Sequence, residues 1–232
     1  MFYGRGVDLC SRDAVDASLQ WYDDVFAVHG IPTLLAGGLW CAKGEPPRWH
    51  SAAKTLDPTV PTDRVLLAVE QFEHCSVADS FGTLDPSAAG FELLFEATWV
   101  HRTPLVKPTG QMPGGWSVVT EPDELRSWNA LHDTTGVLVP SLLAHPRFTF
   151  LARHEDGVLT GGAVLHDCRG EIVGLSNTWA LPGRRLDVAA VVACVGAIHP
   201  GRGIVDYAWG ADLDALVEAG FSPLGPQVVW VR

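Results

Sequence analysis

The apolar positions of this chain switch repeatedly between a helical period and an alternating one. Val15, Leu19, Tyr22 and Phe26 fall on one stripe, which predicts a helix behind a cap at Ser11 or Asp13, closed by His29-Gly30 before Pro32. Thr33 to Ala42 reads as a strand that Gly37-Gly38 interrupts as a bulge or a close backbone approach would. A short helix is expected over Trp49 to Leu56, then a Pro-rich connection. Asp63 to His74 follows as a helix with Val65, Leu66, Val69 and Phe72 inward. Trp116 to Val119 starts a new strand, and Thr120-Glu-Pro-Asp123 caps a helix carrying Leu125, Trp128 and Leu131. A second short helix is expected over Val137 to Ala144. Strands at Phe148 to Arg153 and Val158 to Leu165 are joined by the hairpin signal Glu155-Asp156-Gly157, and a turn at Asp167 to Gly170 leads into the strand Glu171 to Leu175. Leu186 to His199 is a helix with a broad face of Val188, Val191, Val192, Val195 and Ile198.

The last thirty residues read strand, helix, strand. Leu213, Leu216 and Val217 form the apolar face of the helix, Gly220 takes the position past its end, and Val228 to Val231 is the final strand. The segment from Cys75 to Arg102 repeats this pattern. Val77, Asp85, Gly90, Phe91, Trp99, Val100 and Arg102 echo Val205, Asp214, Gly220, Phe221, Trp230, Val231 and Arg232, and Leu35 to Gly44 resembles Val173 to Gly183. The repeat implies a duplication. Residues 106–115, rich in Pro and Gly, read as a linker between a domain over 1–105 and a second over 116–232.

A chain of 232 residues with 47% hydrophobic residues can fill one large or two modest cores. The formal charge of −11 excludes tracking of a nucleic-acid backbone and would suit a cationic or amine-bearing ligand, although solubility alone also explains it. No apolar run reaches the length of a membrane span, and the start of the chain lacks signal-peptide character, so a cytoplasmic protein is expected. The five cysteines, odd in number and widely spaced, point to reduced, mostly buried thiols, and the nine histidines show no metal-ligand spacing. Asp79 near His74 and Cys75 lacks the third group of a nucleophilic site; a cap and a buried thiol account for them.

The order strand, helix, helix, three antiparallel strands, helix, strand, helix, strand over Gly115 to Arg232, with Gly220-Phe221 between the last helix and strand, resembles the GNAT superfamily of acyl-CoA N-acyltransferases. The first half resembles only the later part of that fold. The resemblance implies an α/β (α+β) protein of two GNAT-like domains, the first truncated, each a mixed, mostly antiparallel sheet flanked by helices. It further implies acetyl-CoA or another acyl-CoA as the acyl donor and a small amine as acceptor; from the charge, hydropathy and histidine spacing no nucleic acid, membrane or metal is expected, and a homodimer is compatible with this reading. The donor would lie along Gly174, Leu175, Ser176 and Asn177, its pyrophosphate at Gly183, Arg184, Arg185 and Leu186. The sequence departs from the family pattern at this loop, Leu181-Pro-Gly-Arg-Arg-Leu186, where the two arginines could equally cap a surface turn. In the first copy Glu45, Pro46 and Pro47 oppose anion binding there. A family tyrosine that protonates the departing thiolate is replaced by Leu216. Tyr207 is then the candidate acid and Glu171 the candidate base, against plainer readings as a core tyrosine and a solvated turn carboxylate. Two functions stay open: an N-acyltransferase working through its C-terminal copy, or a catalytically degenerate GNAT-fold protein acting as a binding or assembly module.

Overall fold

The computed structural model describes residues 5–105 and 110–232, so residues 106–109 of the expected linker lie outside the described residues. The chain up to Trp99 joins Tyr207–Trp209 and Pro223–Arg232 in one compact unit, and Val100–Asp206 joins Gly210–Ser222 in a second. Among the described residues no helix is long and apolar enough to cross a membrane.

The first unit opens with α1 (Arg5–Val28), which starts well before the expected cap at Ser11 or Asp13. It ends as expected, with Gly30 at φ +69° and Ile31 N–H returning to the Phe26 carbonyl at 2.9 Å. The expected strand at 33–42 is a hairpin of β1 (Thr33–Ala36) and β2 (Leu39–Ala42), because Gly37 and Gly38 both take positive φ in a two-residue turn. Arg64 donates to the carbonyls of Gly37 and Ala36 at 2.8 and 2.6 Å, and a Cβ on Gly37 would collide with its guanidinium. In place of a helix at 49–56 stands β3 (Ala53–Thr55), paired antiparallel with β2 and parallel with β4 (Ser76–Asp79). Three residues leave no periodicity to read; interior hydrogen bonding on both edges makes them a strand. The helix α2 (Thr62–Val69) ends earlier than expected. A one-turn 3₁₀ helix (Ser87–Ala89) ends at Gly90 in the left-handed region and leads into β5 (Glu92–Arg102).

The strand order in this unit is β1-β2-β3-β4-β11-β5, where β11 (Ser222–Val231) is the last strand of the chain. Ser76 to Asp79 pairs with Val231 to Val228, and Cys75 and Arg232 exchange N–H···O bonds at 3.0 and 2.9 Å. Arg232 donates to the Phe72 carbonyl at 2.9 Å and lies 4.8 Å over the Phe91 ring, while Trp230 packs on the core of Phe26, Trp40, Val65, Phe72 and Val77. The terminal strand therefore completes the sheet around β4. Deleting residues 222–232 is expected to strip hydrogen-exchange protection from β3 and β4 before β7 and β8; equal loss in all four strands, or loss in β7 and β8 first, would contradict this.

Lys54, at the centre of β3, is 1% exposed. Its Nζ lies 5.4 Å from the Tyr22 ring centroid and 5.1 Å from that of Trp99. Burial drives its pKa down to about 7, the Asp79 carboxylate opposing that shift only in part. The folded value lies below the unfolded one, about 10.4, so the unfolded chain holds the extra proton and stability rises with pH above about 7. Cys75 and Tyr22, both pushed upward by burial, act the other way only at higher pH. Lys54→Met is expected to be more stable than the parent at pH 7. Its advantage should shrink by roughly 2 kcal/mol by pH 9, read from urea midpoints; a constant difference would show that Lys54 does not titrate in this window.

The second unit has the strand order β10-β9-β8-β7-β6, with β6 (Trp116–Val118), β7 (Phe148–Glu155), β8 (Val158–Asp167), β9 (Ile172–Ala180) and β10 (Gly203–Ala208, whose last two residues count with the first unit). The hairpin between β7 and β8 turns on Asp156 and Gly157, both at positive φ, as the Asp-Gly signal predicts. Helix α3 (Pro122–His132) begins with Pro122 in its first turn and buries Leu125 and Trp128, whose Nε1 donates to the Leu151 carbonyl at 2.9 Å. The expected helix over 137–144 is a 3₁₀ helix at Pro140–Ala144. Helix α4 (Val188–Ile198) starts two residues later than expected because Asp187 caps it, its Oδ1 accepting from Ala190 N–H at 3.0 Å. Helix α5 (Gly210–Glu218) closes at Gly220, φ +88°, with Phe221 N–H bonded to the Leu216 carbonyl at 3.0 Å.

Candidate functional site

Strands β9 and β10 run parallel, and their ladder spans only Ile172↔Gly203 to Gly174↔Val205. Past Gly174, β9 continues to Ala180 along β8 alone. There its register with β8 slips: Leu175 faces Leu165, Ser176 faces Val164, and the next recorded pair is Trp179 with Gly162. Asn177 lies in this bulge at φ +50°, a left-handed conformation that asparagine tolerates better than most residues. Such outliers persist only where the surroundings hold them. The polar Ser-Asn-Thr between Leu175 and Trp179 thus marks the place where one strand loses its parallel partner.

The bulge is held from α3. His132 Nε2 stands 3.3 Å from Asn177 Oδ1, and Asn177 Nδ2 donates to Ser176 Oγ at 3.1 Å. The imidazole stacks on the Trp179 ring at 6.0 Å and meets Trp128 edge-on at 5.2 Å. Burial lowers the His132 pKa, while the Asn177 contact and the Asp133 charge oppose that shift. Sequence reasoning missed this histidine. Its signal was a polar ring at i+4 from Trp128 and i+7 from Leu125, where the buried stripe calls for an apolar residue.

Gly183 and its neighbours form a turn, with Arg184 N–H bonded to the Leu181 carbonyl at 2.9 Å and Gly183 at φ +81°. Arg184 is paired with Glu155, and Arg185 with Glu218. Arg153 adds contacts to Glu155 at 3.0 Å and to Asp187 at 3.9 Å. Arg153, Glu155, Arg184, Arg185, Leu186 and Asp187 line a shallow cleft. The carboxylate of Asp187 already occupies the start of α4, where the helix would otherwise offer its N–H groups to an anion.

The structure therefore places Gly174, Leu175, Ser176 and Asn177 along the stretch where β9 loses β10, and Gly183, Arg184, Arg185 and Leu186 in the turn before α4. Of the two catalytic candidates, Glu171 joins neither group. Glu171 is exposed in the turn before β9, its backbone carbonyl accepting from Gly203 at 2.8 Å, and about 20 Å of extended chain separates it from Asn177. Tyr207 belongs to the first unit, 38% exposed, with its ring edge-on to Trp99 at 5.3 Å and parallel to Phe95 at 6.4 Å. The corresponding opening in the first unit, beyond the parallel pair Lys54↔Ala78, is bridged by side chains. Thr55 Oγ1 donates to Asp79 Oδ1 at 3.1 Å and accepts from Ser80 N–H at 2.9 Å, and Asp79 Oδ2 accepts from Leu84 N–H at 2.7 Å.

No family model matches the chain, and no curated protein matches it. Solved structures do. A GCN5-related N-acetyltransferase from Kribbella flavida is 18% identical, with 100% of this chain and 96% of that one covered and a TM-score of 0.62. A functionally unknown conserved protein from Staphylococcus epidermidis is 10% identical over 87% of this chain and 94% of its own, with a TM-score of 0.65. A GCN5-related N-acetyltransferase from Sphaerobacter thermophilus is 13% identical over 96% and 91%, with a TM-score of 0.54. The chain therefore has the α/β fold of the GNAT proteins, as the element order implied; at these identities the likeness carries the fold alone.

Proposed function

We propose that the protein is an N-acyltransferase whose C-terminal copy moves an acyl group from acetyl-CoA or another acyl-CoA to a small amine. The observation that supports this most is the parting of β10 from β9 after Val205↔Gly174, followed at once by the Asn177 bulge. Backbone groups released from a ladder need new partners, and an extended amide-bearing acyl arm supplies them. Attack of an amine on a thioester needs chiefly positioning and donors for the developing oxyanion, which peptide N–H groups freed at a bulge can provide.

At the phosphate end the fit is through guanidinium groups. Arg184 and Arg185 are held by surface ion pairs with Glu155 and Glu218, contacts of a kind worth about 0–1 kcal/mol, so exchanging a carboxylate for a phosphate costs little. Asp187 stays as the cap of α4 and opposes the bound charge. That acidic cap is also the observation favouring the other reading, a GNAT-fold binding or assembly module without acyl transfer.

Calorimetric titration of CoA separates the two. A charge-assisted hydrogen bond contributes about 1.5–3 kcal/mol, so the Arg184→Ala, Arg185→Ala double variant is expected to bind roughly 10- to 150-fold more weakly, with an unchanged melting curve. Asp187→Asn keeps a capping oxygen and removes the charge, and is expected to bind about two- to fivefold more tightly. No heat from the parent at millimolar CoA would remove the donor site and leave the binding-module reading. Equal affinities in all three proteins would place the phosphates elsewhere.

A further inference from the structure

The contact between His132 and Asn177 fixes a tautomer. Asn177 presents Nδ2 to Ser176 Oγ and therefore Oδ1 to His132 Nε2, and a carbonyl oxygen only accepts. The proton of the neutral imidazole thus sits on Nε2, and the lone pair on Nδ1. The ring cannot turn freely, because Trp179 covers one face and Trp128 closes its edge. Burial holds its pKa below the ordinary histidine value, against the Asp133 charge beside it, so the imidazole is neutral at pH 7. A neutral, oriented imidazole with its basic nitrogen uncommitted among the described residues is joined to the strand at the point where β10 leaves it.

Resting on the acyl-transfer reading, we infer that His132 is the general base for the acceptor amine and that Asn177 is its positioning residue. As the amine nitrogen bonds to the acyl carbon, its proton passes to Nδ1 of His132. The C–S bond breaks with its electron pair on sulfur, and the proton then returns from His132 to the thiolate, giving amide and thiol with the enzyme unchanged. This moves the base from Glu171, which lies six residues and one exposed turn away, to α3. It also removes the need for a separate acid such as Tyr207, since one imidazole serves both transfers.

The test uses His132→Gln, whose amide keeps a donor toward Asn177 but cannot take a proton near neutrality. With acetyl-CoA and a panel of ethanolamine, putrescine, tyramine and lysine, the parent's kcat/KM is expected to fall at acid pH along a single limb below the ordinary histidine range. His132→Gln should lose that limb, lower kcat by about 10²-fold or more and leave KM for acetyl-CoA within about twofold. Nitrogen-15 spectra of the parent should show the Nε2–H tautomer, a readout independent of turnover. Retained kcat, a persisting acid limb, or an Nδ1–H tautomer each overturns the assignment while leaving acyl transfer intact. Failure of the parent to acylate any of the four amines overturns both, and the CoA titration then shows whether the donor site survives.

Discussion

The first unit depends on a ladder between parts of the chain that are remote in sequence. Strand β4 is four residues long and lies between β3 and β11, so Val77 and Ala78 pair with β3 on one side and complete their ladder only when Val229 and Trp230 arrive on the other. The side chains follow the backbone. Trp230 packs against the core, and the Arg232 guanidinium reaches the Phe72 carbonyl and the Phe91 ring. In the second unit Arg102, ending β5, donates through Nε to the Ala219 carbonyl at 2.9 Å beside Gly220. These two arginines are among the residues that echo each other in sequence, and each stands at the end of its strand with its guanidinium on a main-chain carbonyl.

The two openings beside the parallel strand pairs have been treated differently. In the first unit Thr55 and Asp79 convert the gap into a closed hydrogen-bond network, and the buried Lys54 fills the neighbouring space between Tyr22 and Trp99. In the second unit the gap is left to the backbone, and the polar residues Ser176, Asn177 and His132 satisfy one another at its margin. Buried polar groups are costly unless paired. A network complete within the protein leaves nothing to offer a ligand, whereas one that ends on an uncommitted imidazole nitrogen does.

What could be read from the sequence followed from local chemistry. Asp156-Gly157, Gly220-Phe221 and the valine face of α4 each announce their geometry within a few residues, and Ser176-Asn177-Thr178 is a polar run between Leu175 and Trp179. What could not be read depended on distant partners. Glu155 and Glu218 neutralise Arg184 and Arg185 from 29 and 33 residues away. Strand β3 exists only because β2 and β4 flank it, and its central lysine is buried. His132 followed no motif, since its role comes from a residue 45 positions later. Gly37-Gly38 differs: its local signal fits a bulge or a close backbone approach, and the structure makes it a two-residue turn on which Arg64 packs closely.

The position of β11 has a consequence for synthesis on the ribosome. Domains usually fold from the N-terminus as they emerge, at about 5–20 residues per second, but β4 must wait for a partner roughly 150 residues downstream, about 7–30 s at that speed. During that interval β4 presents an open strand edge, the kind of feature that pairs with other chains. The second unit's sheet, whose strands lie close together in sequence from β6 to β10, can form while this edge is still open. Nascent chains on crowded polysomes would then be the state in which this protein is most exposed to misassembly, and holdase chaperones that cover strand edges the factors on which its yield depends.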